Sequence, residues 1–132
     1  MYKTITTPAD MDWLEITVEG FTLQLTLKDI QELIARIING GIGDWAIIDH
    51  VTRTENSSYT VPIQISCIDT NKAHIIEMQD ILYSIQRAWI DFPCALDTTA
   101  GYRLNVDRLT QEDIDEIIQL AVFKRVQYGY VW

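Results

Sequence analysis

Residues 12–39 change their hydrophobic period in mid-run, and that change constrains the fold more than any other feature of the chain. DWLEITV (12–18) and FTLQLT (21–26) alternate loosely between apolar and polar residues, the two-residue period of strands. Glu19-Gly20 between them is a turn signal, so the two runs read as a hairpin. From Leu27 the period lengthens. Leu27, Ile30, Leu33, Ile34, Ile37 and Ile38 form one apolar stripe at helical spacing. Thr26 with Asp29 three residues later is a capping box in its broader form. Asn39-Gly40-Gly41 closes the helix, because glycine tolerates the left-handed position just past a helix end. The pattern predicts two strands and a helix over 27–39, with no linker between the second strand and the helix.

The rest of the chain repeats this grammar. WAIIDHVTR (45–53) and YTVPIQISCID (59–69) read as strands around a turn at Glu55-Asn56-Ser57-Ser58. Pro62 marks an edge or a bulge, since proline gives the ladder no N–H. HIIEM (74–78) is either a short third strand or the start of the next helix. Ile81, Leu82, Ile85, Ala88 and Trp89 give a helix over 79–91, stopped at Phe92-Pro93. Residues 94–109 read as a loop or an irregular helix. Thr110 and Asp113 repeat the cap, and the helix 111–123 turns Ile114, Ile117, Ile118 and Ala121 inward.

Residues 1–10 read as a polar lead-in. The tail VQYGYVW (126–132) places Tyr128, Tyr130 and Trp132 on one face of a β-prone run, as core or as an oligomer interface. Hairpins dominate and no βαβ glycine fingerprint is present. The expected fold is α+β, an antiparallel sheet built of hairpins with three helices packed on one side, in a single domain over 1–132.

Charge limits the partners. With 19 acidic and 10 basic residues the formal net charge is −9. A general grip on DNA or RNA needs a basic face, so neither is expected. An acidic surface is either simply solvated or mimics nucleic acid toward a basic protein. No signal-peptide pattern opens the chain, and no apolar run reaches the ~18 residues of a membrane span. A cytoplasmic protein is expected, with no membrane partner.

Catalytic grammar is weak. Cys67 and Cys94 lack CxxC spacing; Cys67 reads as a small core residue, and a disulfide between the two stays open. His50 and His74 are lone histidines in strand-like runs, with no motif placing a nucleophile and an orienting group beside them. Ser57-Ser58 has no GxSxG context. Glu112, Asp113, Asp115 and Glu116 have the spacing of a helix first turn, where acids meet the macrodipole. Gly40, Gly41 and Gly43 follow a helix rather than precede one, the wrong polarity for a phosphate loop.

These residues predict a binding protein, not an enzyme, with no metal and no cofactor. The candidate ligand contacts are Arg53, Tyr102, Arg103 and Asn105, which lie outside the helical stripes. Arginine offers a planar fork for phosphate, and an aromatic face can stack a base. Isolated surface arginines are common, and on residues alone Arg108 is an equal candidate.

Two segments carry a family resemblance. One is the helix-to-strand junction Ile38-Asn39-Gly40-Gly41-Ile42-Gly43-Asp44-Trp45-Ala46. The other is Ile117-Ile118-Gln119-Leu120-Ala121-Val122-Phe123 followed by Val126-Gln127-Tyr128-Gly129. Together they resemble small bacteriophage proteins that pair a GGIGxWA turn with a late Q-x-A-V/L-F-G-E-V-x-Y-G ending. Lys124 and Arg125 stand where that pattern has Gly-Glu.

The described family to which this chain looks similar is the first Thoeris anti-defence family of phages. The resemblance implies a sponge that sequesters cyclic ADP-ribose isomers, and in some members cyclic oligonucleotides, without degrading them. It implies a homo-oligomer, dimer or hexamer, in the cytoplasm of an infected bacterium. It also implies phosphate and adenine contacts by arginines, an asparagine and an aromatic residue, with Arg53 and Arg103, and less closely Asn105, as the counterparts by position. The alternative is an acidic nucleic-acid mimic, anti-CRISPR-like, that binds a basic defence effector.

Overall fold

The computed structural model describes residues 2–6, 12–18, 21–55, 58–92, 95–97 and 102–128. Cys94, Gly101, Tyr130 and Trp132 lie outside them, so the disulfide and most of the aromatic tail are not addressed by the structure. β2 (Asp12–Val18) and β3 (Phe21–Thr26) form the expected hairpin, with Val18 opposite Phe21. Register pairs Leu14 with Leu25 and Ile16 with Leu23, and all four are buried. β1 (Tyr2–Thr6) pairs antiparallel with β2 where a polar lead-in was expected. Its backbone takes up the free edge of β2, and backbone pairing needs no apolar pattern.

β3 runs straight into α1 (Leu27–Arg36). The Thr26 hydroxyl accepts from the Asp29 amide at 3.1 Å, and the Asp29 carboxylate accepts from the Thr26 amide at 2.7 Å. The helix does not stay α-helical to residue 39. It widens into a π-helical turn at Ile37–Gly41, ending with Gly40 at φ +103°. Gly41 is needed for a different reason. A Cβ there would lie 2.7 Å from the Ile114 side chain and 2.8 Å from the Arg36 carbonyl oxygen.

β4 (Ala46–Arg53), β5 (Tyr59–Cys67) and β6 (Ala73–Ile76) follow as an antiparallel meander. The register jumps across Val61 and Pro62, which places the proline at a bulge of the central strand. The HIIEM run resolves as a strand followed by a helix, α2 (Met78–Ala88), with a 3₁₀ turn at Trp89–Asp91. Residues 95–109 hold two short strands, β7 (Leu96–Asp97) and β8 (Tyr102–Leu104), then a 3₁₀ turn at Val106–Arg108. α3 spans Gln111–Phe123 behind the Thr110–Asp113 capping box.

The α+β class holds, with a different sheet arrangement from the one expected. There are two sheets, β1-β2-β3-β8-β7 and β4-β5-β6, and β8 joins β3 in parallel. The physical reason is a long-range return: after the meander and α2, the chain reaches the free edge of β3 running in the same direction. Two residue pairs, Leu23 with Tyr102 and Gln24 with Arg103, make that junction. α1 packs against both sheets, α2 against β2, and α3 against α2 and β6. Ile30, Leu33, Ile34, Ile81, Ile85, Ile114, Ile117 and Ile118 form the shared core at full burial.

Candidate functional site

The short β8 strand sorts two of the predicted contacts by simple alternation. Tyr102 and Leu104 take one face and Arg103 takes the other, opposite Gln24 and Asp97. Arg103 therefore turns toward the start of α1, where its guanidinium lies 3.6 Å from the Asp29 carboxylate. Asn105 follows it into the same groove, of about 330 Å³. The wall behind them is fixed. The Asn105 amide donates to the Ala95 carbonyl at 2.7 Å, its side-chain oxygen accepts from the Asp107 amide at 3.1 Å, and Arg36 donates to the Val106 carbonyl at 2.7 Å.

The groove is mixed in charge. Lys28 and Arg103 supply two cations, while Asp29, Glu32, Asp97 and Asp107 supply four carboxyl groups. Asp29 is committed to the Thr26 cap, and the other three carboxyls are not drawn into that cap. Arg103 keeps 44 % of its side chain exposed, so its fork is reachable from solvent. Of the predicted contacts, Arg103 and Asn105 are thus brought together by the fold.

Tyr102 is not with them. Its ring stacks on Phe21 at 4.1 Å between centroids, and Phe21 meets Trp89 edge-on at 4.9 Å. Arg53 is on the other sheet, at the end of β4. It donates to the Tyr59 hydroxyl at 3.0 Å and stands 4.5 Å over the Tyr59 ring. Tyr59 and Ser58 line a second hollow with Gln31 and Ala35 of α1. Lys28 and Glu32 line both hollows, so the exposed face of α1 is a common wall between the Arg103 side and the Tyr59 side.

The two segments behind the family resemblance meet at one buried hub. Asp115 of α3, 2 % exposed, accepts at 2.7 Å from the Gly43 amide, the Trp45 indole N–H and the Gln119 carboxamide. Gln119 is buried as well. Its oxygen accepts from the Gln127 and Tyr128 amides at 2.8 and 2.7 Å, and its nitrogen donates to the Tyr128 carbonyl at 3.0 Å. Tyr128 then stacks on Trp45 at 5.5 Å and 9° between planes. The first motif supplies Gly43 and Trp45, and the second supplies Gln119 and Tyr128. Asp115 joins them, and sequence reasoning placed it among first-turn acids instead. Its signal was its position one residue after Ile114, on the apolar side of the helix.

The remaining acids of that run have separate jobs. Asp113 accepts from the Thr110 amide at 2.9 Å. Glu116 packs toward Asp91 at the end of the α2 segment. Burial, a hydrogen bond with Asp91 and the nearby charges of Asp91, Asp113 and Glu112 push its carboxyl up to about 8. His50 and His74 lie on opposite faces of the meander, since one pairs with Gln64 and the other with Ile65. Burial, with Lys72 nearby, pulls His74 below the ordinary histidine range, and burial pushes the Cys67 thiol up. Among the described residues, no group of three or more ligating side chains could hold a metal ion, and no helix is long and apolar enough to cross a membrane.

The chain matches no family model, no curated protein and no solved structure. The likeness to the Thoeris anti-defence sponges therefore rests on the two motifs, whose residues serve packing and hydrogen bonding at the Asp115–Gln119 hub.

Proposed function

We propose that this chain works by stoichiometric capture at the groove beside α1, as a sponge for a cyclic ADP-ribose-type signal and without turnover. The observation that supports this reading most is the convergence of Arg103 and Asn105 on one solvent-reachable groove, from a strand and a capped turn that hold both backbones in place. Arg103 would fork onto a phosphate oxygen pair, and Asn105 would read an edge of the base or ribose. Tyr59, across the Lys28 and Glu32 wall, offers the aromatic surface that Tyr102 does not.

The charge count sets a condition on this reading. Two cations against four carboxyl groups do not make a trap for a doubly charged anion. A second copy must close the groove and add cations, in keeping with the homo-oligomer that the resemblance implies. Calorimetry with the cyclic ADP-ribose isomers is the direct test. Heat that Arg103→Ala removes and Arg108→Ala keeps supports the sponge. Folded protein that gives no heat with any isomer sinks it.

The same count favours a second reading. Glu32, Asp97 and Asp107 around the groove, in a chain of net charge −9, suit a lysine or arginine side chain of a basic effector protein. An acidic inhibitor of that kind binds an arginine-rich peptide, and the affinity falls steeply with added salt. Asp97→Asn with Asp107→Asn weakens this binding and strengthens that of a nucleotide, so one double variant separates the two readings.

A further inference from the structure

Asp29 is tied down through one of its two oxygens. Oδ2 accepts from the Thr26 amide at 2.7 Å and lies 3.6 Å from the Arg103 guanidinium. The Asp29 amide donates to the Thr26 hydroxyl at 3.1 Å, so the capping box closes around the residue from both sides. Oδ1 takes part in none of these contacts, and Asp29 lines the groove. Among the described residues no buried side-chain nitrogen or oxygen is left without a hydrogen-bond partner. Oδ1 is therefore an acceptor open to whatever fills the groove.

The two members of the ion pair differ in freedom. Asp29 is 8 % exposed and held by the cap, whereas Arg103 is half-exposed on a long, rotatable stem. An entering anion can draw Arg103 toward itself, while Asp29 stays where the cap holds it. A phosphate seated on Arg103 then stands beside a fixed negative charge, which repels it. A phosphate ester with a hydroxyl close by escapes that penalty. Its hydroxyl donates to Oδ1, and the repulsive contact becomes a charge-assisted hydrogen bond.

Asn105 is not an equivalent acceptor. Its side-chain oxygen already accepts from the Asp107 amide at 3.1 Å, so what it offers a ligand is chiefly its amide N–H groups. Of the carboxyl groups that line the groove, Asp29 is the one that the Thr26 cap fixes in place.

We propose that Asp29 is a specificity-determining residue of the groove, selecting phosphorylated sugars with a free hydroxyl near the phosphate over phosphates that lack one. This rests on the reading of Arg103 as the phosphate contact, and it adds the sugar as a second element recognised beside it. Ribose phosphates meet the requirement; inorganic phosphate and pyrophosphate do not. A carboxylate inside an anion site, a handicap for holding a bare phosphate, then has a function.

Ligand-observed magnetic resonance titration of the full chain with ADP and with 2′,3′-dideoxyadenosine diphosphate tests this, since the two differ only in the ribose hydroxyls. ADP should bind about tenfold more tightly, the weight of one hydrogen bond to a charged group. Asp29→Asn keeps an oxygen for the Thr26 amide and removes the charge. It should cut the preference to under about threefold by tightening the dideoxy nucleotide and inorganic pyrophosphate, which a weakened cap alone would not do. Glu32→Gln takes a charge from the same groove and should leave the preference intact. Arg103→Ala should weaken both nucleotides. Equal affinity of the wild type for the two nucleotides, lost in each case with Arg103→Ala, overturns the proposal and leaves phosphate capture standing. So does a preference that Asp29→Asn retains in full. If neither nucleotide nor any cyclic ADP-ribose isomer binds in a way that needs Arg103, the sponge reading falls together with the proposal.

Discussion

Asp115 and Arg103 are both charged side chains set between a helix and a loop, and the fold treats them in opposite ways. Asp115 is 2 % exposed and meets three N–H donors at 2.7 Å. Arg103 keeps 44 % of its side chain in water, and its guanidinium lies 3.6 Å from the Asp29 carboxylate. The hub around Asp115 ties α3 to the turn before β4 and to the segment after α3, so it is a structural joint. The groove around Arg103 holds its polar groups where an outside molecule can reach them. A buried polar network is costly to break, and an exposed ion pair contributes little, so the difference separates what the chain needs for folding from what it offers to a ligand.

The hub should break hardest. Asp115→Ala leaves the Gly43 amide, the Trp45 indole and the Gln119 carboxamide without their acceptor. Buried groups stripped of a charged partner cost about 3–5 kcal/mol. The drop in the urea midpoint measures this, and a change under about 1 kcal/mol would mean that water replaces the carboxylate. Gly41→Ala comes next. Its new methyl meets Ile114 and the Arg36 carbonyl, an overpacking cost of about 1–3 kcal/mol read from the same denaturation curves.

Glu116 lies between the two regions in character, being half-buried and acidic among acids. The native carboxyl, raised from 4.5 to about 8, binds more protons than the unfolded one across that window. Stability therefore falls as pH rises through it. Glu116→Gln cannot ionise, so its melting temperature should change less between pH 5 and pH 8.5 than that of the wild type. Equal slopes for the two proteins would refute the assignment. The smallest effect belongs to the groove. Arg103→Ala should shift stability by less than about 1 kcal/mol, since exposed pairs contribute that little, while Arg108→Ala shifts it less still. A large loss at Arg103 would move it from the groove to the structural side of the comparison.

Much of the local structure was legible because it depends on neighbours in sequence. The Thr26–Asp29 and Thr110–Asp113 boxes, the apolar stripes of α1, α2 and α3, and the β2–β3 hairpin all rest on contacts within a few residues. β1 was hidden because its residues carry no strong apolar alternation, and backbone pairing does not require one. The π-helical turn after Arg36 was hidden because the apolar stripe continues through Ile37 and Ile38, and the close approach of Ile114 that Gly41 permits comes from far along the chain. The groove was half legible. Arg103 and Asn105 were singled out as residues without an obvious structural job; they line one groove, and Asn105 also caps the 3₁₀ turn. Tyr102 and Arg53 were singled out on the same grounds and point elsewhere, because strand alternation and sheet membership decide where a side chain goes.

The sequence by itself determined the α+β class, most element boundaries, the caps and the acidic balance of the chain. Each follows from spacing, propensity or composition. Only the tertiary structure decided that the strands divide into two sheets, that β8 runs parallel to β3, and that Asp115 is a buried joint. It also decided that Arg103 faces α1 with Asn105 rather than with Tyr102 or Arg53. These are outcomes of contacts between residues tens of positions apart, and no local pattern records which distant neighbour a side chain will meet.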